Sequence, residues 1–294
     1  MMKNFNGIIP ALLTPYDRDN RVNINSLENL VYYLLEKGIS GFYVGGSTGE
    51  AFLLSLDERK KVLETVIKAN QGCGSVIAHV GCVSTQDSIE LSQHAADCGA
   101  DAVSAVAPFY YSFNKKEVAA HYLAIAEATP LPMIIYNFPA FSGVRFTLDD
   151  FSHFYTNEKI IGVKYTDKDL FLMERIKSLD PNRCVLFGVD EMTVSGIAAG
   201  AEGSIGSTFN LMPEVYGNIY KMMKSNQITG ARKLQTSVNM VIEVLIKYGV
   251  FASLKYAIER QYNIPMGAVR APFVQLSDAA KKSIDATLDV FFNM

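Results

Sequence analysis

The sequence has no apolar run long enough to span a membrane and no cluster of basic residues. Its first six residues lack the apolar stretch and the cleavage site of a signal peptide. The formal net charge is only -3 over 294 residues, which argues against a nucleic acid or an anionic membrane as partner. These absences predict a cytoplasmic protein.

Cysteine and histidine are few, and neither occurs at the spacing of a metal site. The four cysteines form no CxxC pair, so reduced structural thiols are expected. None of the four histidines belongs to an HxxxH or HExxH pair, and His79 is expected to be a hydrogen-bonded core residue. The sequence therefore predicts neither a metal nor a cofactor.

A lysine lies inside an apolar, β-branched segment, residues 160–166. Burying an ammonium group is unfavourable, so such a lysine either extends to water or has its pKa lowered and serves as an amine nucleophile. The structural alternative is a lysine at a strand end that pairs with a carboxylate on the next strand. By itself the segment leaves both explanations of Lys164 open.

Strand-like runs and amphipathic helical stretches alternate eight times along the chain, which predicts an α/β fold, a (β/α)8 TIM barrel. Asn25 precedes one predicted helix, Ser55 with Glu58 forms a capping box for the next, and Ser84 begins a third that runs to Gly99. An open doubly wound sheet for a dinucleotide would need a GxGxxG turn, which residues 14–17 do not supply. The predicted strands are 7–16, 41–46, 75–81, 102–108, 133–139, 160–166, 184–190 and 203–208.

After the eighth strand the pattern becomes entirely helical. Apolar residues recur at helical spacing over residues 228–248, and two more helices are predicted at 251–263 and 277–292. No flexible linker separates these helices from the alternating part. We therefore predict a barrel over residues 1–226 and a C-terminal helical extension, residues 227–294, packed on it.

Chemically unusual residues fall where the predicted strands end, which is where barrels of this kind carry reactive groups. Lys164 and Thr166 share one face of strand six, and Gly162 on that face would leave room for a substrate. If Tyr136 on strand five also points inward, its hydroxyl comes within reach of the lysine amine. A nucleophile beside a proton-transfer partner is expected in covalent amine catalysis.

Each of these residues also has a structural explanation. The Gly-Ser-Thr-Gly turn after strand two is common in loops, and Tyr136 could be a core aromatic residue. Asp190 and Glu191 could be the first carboxylates of a helix, and Asn137 could form a turn before Pro139. Their joint position at one end of a barrel favours a functional site.

Four motifs carry a resemblance to a known family. GGSTGE after strand two, YNFP in strand five, GVKYTDKDL in strand six and GVDE after strand seven resemble the N-acetylneuraminate lyase and dihydrodipicolinate synthase family of Schiff-base aldolases, at family spacing and over essentially the whole chain. The resemblance implies that Lys164 forms a Schiff base and that Tyr136 shuttles protons. Ser47 and Thr48 would hold the substrate carboxylate, with Ser47 also hydrogen-bonded to the tyrosine.

The same resemblance implies the rest of the site. Tyr110 matches a tyrosine that the family passes across a subunit contact, and the homotetramer usual in the family is expected only by this analogy. The other residues implied to bind the substrate are Thr166, Gly188, Asp190, Glu191 and Ser207.

Departures from the family pattern favour the lyase reaction, the cleavage of N-acetylneuraminate to N-acetylmannosamine and pyruvate. The synthases carry an arginine two residues after the YNFP proline, and this chain has Phe141 there. Asp190 and Glu191 suit a polyhydroxylated substrate. A 2-keto-3-deoxy sugar acid aldolase and a dihydrodipicolinate synthase remain alternatives. A non-catalytic barrel that binds a keto acid as a regulator or sensor is an alternative from another class, against which the intact lysine, tyrosine and serine argue.

Overall fold

The computed structural model describes residues 5–293, and its centre is a single sheet of eight parallel strands. The strands are β1 (Gly7–Pro10), β2 (Gly41–Val44), β3 (Ser75–His79), β4 (Ala102–Val106), β5 (Met133–Asn137), β6 (Ile160–Tyr165), β7 (Cys184–Phe187) and β8 (Gly203–Gly206). Each strand pairs with its neighbours in chain order, and β1 pairs with β8. A parallel bridge between Ala11 and Tyr43 joins the remaining edges of β1 and β2, so the predicted (β/α)8 barrel is confirmed.

Helices follow the strands and surround them. They are α1 (Ile24–Glu36), α2 (Leu56–Asn70), α3 (Thr85–Cys98), α4 (Lys115–Glu127), α5 (Pro139–Ser142), α6 (Leu148–Phe154), α7 (Leu170–Leu179), α8 (Thr193–Ala198), α9 (Pro213–Lys224), α10 (Ile228–Tyr248), α11 (Val250–Tyr262) and α12 (Asp278–Phe292). The predicted extension corresponds to α10, α11 and α12, while its boundary at residue 227 stays a prediction. Within residues 5–293, no helix is long and apolar enough to cross a membrane.

Side-chain caps set where several helices begin. The capping box of Ser55 and Glu58 is present, and Ser84 caps α3, which ends at Gly99 in the left-handed conformation. The prediction that Asn25 precedes the first helix was wrong. Asn23 is the cap, because its side-chain oxygen accepts a hydrogen bond from the backbone of Ser26 and α1 starts at once after it.

All eight predicted strands start at the right residue and extend too far at their carboxyl ends. At β2, β7 and β8 the chain leaves the sheet early because the residues that follow bend into 3-10 turns. Their polar side chains are thereby turned towards the mouth of the barrel. These turns are Ser47–Gly49, Asp190–Met192 and Thr208–Asn210.

Two apolar layers hold the strands in place. The inner layer fills the barrel, and the larger outer layer lies between the strands and the helices. Helix α10 joins the outer layer through the apolar face that its sequence predicts, since Ala231, Val238, Val241, Ile242 and Leu245 are all buried. The residues of the inner layer include Ile9, Tyr43, Ile77, Ile134, Tyr136, Leu186 and Ile205.

Gly162 does not leave room for a substrate, so that prediction was wrong. It pairs with Cys184 on β7, and a Cβ at residue 162 would collide with the backbone carbonyl of Cys184. The absent side chain lets β6 and β7 approach each other. Gly162 therefore serves the barrel wall that carries Lys164.

We expect Gly162→Ala to lower the free energy of unfolding by about 1–3 kcal/mol, because a methyl group must displace neighbouring backbone. Gly217→Ala in α9 is the matched control, since a Cβ there meets no atom within 4 Å among the described residues and removes glycine from a helix. Urea-unfolding midpoints of both variants check this. Equal midpoints for the two variants would contradict the close approach of β6 and β7.

Candidate active site

Lys164 lies on β6 with its amine inside the barrel. It is opposite Tyr136 on β5 and Leu186 on β7 in the strand register, and only 4% of it is exposed. Its Nζ lies 3.9 Å from the ring centroid of Tyr136 and 4.1 Å from that of Tyr43. The amine therefore sits between two aromatic faces.

Burial lowers the pKa of Lys164 to about 7, an effect that the negative charge of Asp190 opposes. Lys164 takes part in none of the ion pairs found within residues 5–293. The alternative of a strand-end lysine paired with a carboxylate therefore does not hold. An amine with this pKa is substantially neutral near pH 7, which is the form that attacks a carbonyl carbon.

A cavity of about 430 Å³ opens above Lys164 at the carboxyl ends of the strands. It brings together nine of the ten residues that the sequence nominated. These nine are Ser47, Thr48, Tyr136, Lys164, Thr166, Gly188, Asp190, Glu191 and Ser207.

The Tyr136 hydroxyl faces the hydroxyls of Ser47 and Thr166. Burial raises the pKa of Tyr136, and the charge of Asp190 adds to the rise, whereas Ser47 and Thr166 oppose it. Thr166 Oγ1 is itself buried and forms no hydrogen bond of normal geometry with any described residue. Thr166 Oγ1 therefore has hydrogen-bonding capacity left for a ligand at the cavity wall.

The 3-10 turn after β2 contributes Ser47 and Thr48 to the cavity wall. Glu50 N donates to Ser47 O and closes the turn, while the N–H groups of Ser47 and Thr48 donate to no carbonyl in the described part of the chain. The side chain of Thr48 is hydrogen-bonded to that of Ser207, which follows β8, with 2.6 Å between their oxygens. Free N–H groups next to hydroxyls can bind a carboxylate.

Asp190 is held by the protein itself. Its Oδ2 accepts hydrogen bonds from the backbone N of Thr208 at 2.8 Å and from Thr208 Oγ1 at 2.7 Å. Burial raises the pKa of Asp190 to about 6, which the bonds from Thr208 oppose and the charge of Glu191 favours. Tyr216 contacts Thr208 in turn, so this carboxylate is fixed in one position.

The Glu191 carboxylate, in contrast, accepts no hydrogen bond from residues 5–293. Glu191 is half-buried, and only its backbone oxygen is used, by Asn239 Nδ2 at 3.1 Å. Nearby, a Cβ at Gly188, the residue after β7, would collide with Thr166 Oγ1, so glycine lets the chain pass close to this hydroxyl. The free carboxylate of Glu191 is available to a polar ligand.

The rim of the cavity is apolar. Phe141 is 68% exposed and stacks on Phe138, which in turn stacks on Tyr136. The C-terminal helices add a second apolar wall that sequence reasoning missed, because an apolar stripe on a helix indicates packing and not a cavity. The residues of this wall are Ile242, Ile246, Val250 and Phe251.

Tyr110 is the nominated residue that the structure does not bring to the cavity of its own chain. It is 87% exposed, its φ of 78° is in the left-handed region, and its ring packs against Tyr111. Tyr110 therefore contributes nothing to the cavity of its own chain.

His79 is a core histidine, as predicted. Its Nδ1 lies 2.8 Å from Gly45 O, and Val106 N donates to its Nε2, so the ring is the neutral tautomer with hydrogen on Nδ1. Burial holds the pKa of His79 well below its usual value, helped by the charges of Arg59 and Lys164. His79 therefore supports the rings around Lys164.

Glu64, His94 and Cys98, whose side chains are of types that bind metals, lie close together on the outer helices α2 and α3. The spacing of the histidines did not predict this cluster. His94 Nε2 lies 3.1 Å from Glu64 Oε1 and 3.3 Å from Cys98 Sγ. The sulfur is also 3.7 Å from Nδ1, so it lies beside the imidazole ring and not in line with Nε2. Hydrogen bonding accounts for this cluster.

The chain is similar to known proteins over nearly its whole length. A family model described as the dihydrodipicolinate synthetase family matches residues 4–290. The N-acetylneuraminate lyase of Shigella boydii serotype 4 (strain Sb227) is 46% identical over 274 residues, which cover 93% of this chain and 92% of that protein.

Solved structures give the same similarity. CdNal from Clostridium difficile in complex with mannosamine has a TM-score of 0.96 at 34% identity, covering 99% of this chain and 100% of that one. The wild-type sialic acid aldolase of Ruminococcus gnavus has a TM-score of 0.96 at 33% identity, covering 98% and 97%. Its catalytic lysine mutant has a TM-score of 0.96 at 32% identity, covering 99% and 98%.

Proposed function

The chain belongs to the dihydrodipicolinate synthetase family, and we propose that within it the protein is a Schiff-base aldolase that cleaves N-acetylneuraminate to N-acetylmannosamine and pyruvate. The observation that carries the proposal is the buried amine of Lys164, with its pKa of about 7, at the base of a cavity lined by polar strand ends. The lyases that are 46% identical support the substrate, and the catalytic lysine of the Ruminococcus gnavus enzyme supports the role of Lys164.

The reaction begins at the Lys164 amine. Its nitrogen attacks the ketone carbon of the open-chain sugar acid, and loss of water gives a protonated imine. When the hydroxyl on C4 loses its proton, the bond between C3 and C4 breaks and its electron pair moves into the imine. N-acetylmannosamine leaves as the aldehyde, and the remaining enamine takes up a proton and is hydrolysed to pyruvate and the free lysine.

Tyr136 and Ser47 are proposed to carry protons in this sequence. The raised pKa of Tyr136 keeps its hydroxyl protonated, so it can relay a proton only while it receives another. Ser47 and Thr48 are proposed to bind the substrate carboxylate through their hydroxyls and N–H groups. The unpaired Thr166 Oγ1 is proposed to contact the C4 hydroxyl.

The sugar end of the substrate is proposed to lie against Gly188, Asp190, Glu191 and Ser207. Because Thr208 already holds Asp190 Oδ2, Glu191 has the larger free capacity to accept hydrogen bonds from sugar hydroxyls. Glu191 is therefore the residue most directly responsible for the proposed substrate preference.

Tyr110 is proposed to act in the site of a neighbouring subunit, within a cytoplasmic homotetramer. Its exposure on a single chain supports this, because an isolated subunit leaves the ring in water. Light scattering measures the mass of the assembly and so tests the tetramer. The activity of Tyr110→Phe tests whether the Tyr110 hydroxyl takes part in the reaction.

Dihydrodipicolinate synthesis is the second candidate, and Phe141 argues against it. The exposed ring of Phe141 stacks on Phe138 at the rim and offers no charge to a second carboxylate. A 2-keto-3-deoxy sugar acid aldolase and a non-catalytic keto-acid sensor share the lysine, so only activity separates them from the proposed lyase.

Incubation with pyruvate and borohydride is expected to add one reduced three-carbon unit to Lys164, identified by mass spectrometry of peptides. The same protein should release pyruvate from N-acetylneuraminate faster than from 2-keto-3-deoxygluconate, and Lys164→Ala should do neither. Labelling without cleavage of any sugar acid would favour the sensor. No labelling of Lys164 would contradict the proposed mechanism.

Glu191→Leu is expected to lower kcat/KM for N-acetylneuraminate about 5- to 150-fold, which corresponds to about 1–3 kcal/mol for an unmatched hydrogen bond. Pyruvate lacks the sugar hydroxyls, so trapping of its imine should stay nearly unchanged. Glu191→Gln keeps an acceptor oxygen and is the matched control, expected to retain more activity. Equal losses of cleavage and trapping would show that Glu191 supports the barrel and not the substrate.

A further inference from the structure

Glu50 is a buried acid in a strained backbone conformation directly after the turn that carries Ser47 and Thr48. Its side chain has no exposed surface, and its φ of 56° is in the left-handed region. A residue other than glycine is held there only when its surroundings fix it. Glu50 N closes the Ser47 turn, so the position of this residue sets the position of the turn.

Two residues of the C-terminal extension hold Glu50, Lys255 through its amine and Arg270 through its backbone N–H. Lys255 on α11 forms an ion pair with Glu50, with 2.5 Å between Nζ and Oε1, and only 1% of its side chain is exposed. The backbone N of Arg270 donates to Glu50 Oε2 at 2.8 Å. The guanidinium of Arg270 also donates to Leu53 O and to Glu58, so it holds the chain on the far side of Glu50 as well.

Tyr16 completes the arrangement. Tyr16 lies on the loop after β1. Lys255 Nζ is 3.9 Å from the Tyr16 ring centroid, and Arg270 Cζ is 4.4 Å from the same centroid. Thr14 on the same loop donates to Gly49 O at 2.9 Å. The turn is therefore held from the loop after β1 and, through Glu50, from the extension.

A buried ion pair adds little to stability compared with an apolar pair of the same shape, and fixing the position of neighbouring segments is a role that such pairs serve in some proteins. Here the contacts made by Glu50 extend to the backbone of Ser47, because Ser47 O accepts a hydrogen bond from Glu50 N, three residues later in the chain. We propose that Lys255 is a positioning residue, which acts through Glu50, together with the backbone N–H of Arg270, to hold Ser47 and Thr48 in the geometry that binds the substrate carboxylate. This rests on the proposed function, because it assumes that the Ser47 turn binds that carboxylate.

The double variant Glu50→Gln with Lys255→Met removes both charges, so no buried charge is left unpaired. We expect the pyruvate concentration that gives half-maximal borohydride trapping on Lys164 to rise about ten-fold, with the limiting rate nearly unchanged. Trapping of acetone, which has no carboxylate, should stay the same. Arg260→Gln with Asp289→Asn is the control, because it removes a cation and an acid that pair between α11 and α12. It should change the half-saturating concentration of neither ketone.

If the double variant does not fold, Glu50→Gln alone is used at pH 9. Burial already lowers the pKa of Lys255 to about 8 against the opposing charge of Glu50, so without that charge the amine becomes neutral. We then expect the pyruvate concentration for half-maximal trapping to rise less than in the double variant. The corresponding acetone concentration should not change. Unchanged half-saturation by pyruvate, or equal losses for both ketones, would overturn the inference while the proposed function stands. A wild-type protein that traps no pyruvate would overturn both.

Discussion

The structure depends on keeping one amine out of water. Lys164 is buried between the aromatic faces of Tyr43 and Tyr136 and pairs with no carboxylate of residues 5–293, which is unfavourable for a charged lysine. The barrel meets this constraint by lowering the pKa of Lys164, and the same change makes the amine a nucleophile. Tyr43, Tyr136 and Lys164 lie on three strands, so only the closed barrel sets their mutual distances.

Around this amine the protein arranges groups of two kinds. Asp190 is fixed by Thr208, and Glu50 by Lys255 and Arg270, and both carboxylates are occupied inside the protein. Thr166 and Glu191, in contrast, have side-chain oxygens that form no hydrogen bond of normal geometry with a described residue. The occupied groups give the cavity its shape, and the free groups are left for the substrate.

The sequence predicted most of the barrel because strands, helices and caps are local patterns. β2, β7 and β8 were predicted too long because the 3-10 turns that follow them have no periodic pattern of their own. Asn23 was missed as a cap because Asn25 is also a cap former. Nine cavity residues could be named because each has an unusual side chain at a strand end or matches a family motif. The apolar wall from α10 and α11 could not be named, since those residues look like ordinary packing. Contacts such as Arg270 with Glu50 join residues 220 positions apart, which no local pattern reveals.

The pKa of Lys164 in the free protein is the most direct test of this account. Competitive acetylation across a pH range, read from the Lys164 peptide by mass spectrometry, reports the fraction of neutral amine at each pH. The account predicts a midpoint of about 7, so that reactivity rises from pH 6 to pH 8 and then stays level. A midpoint near the ordinary lysine value of about 10.4 would show that the amine is charged and solvated, and would contradict it.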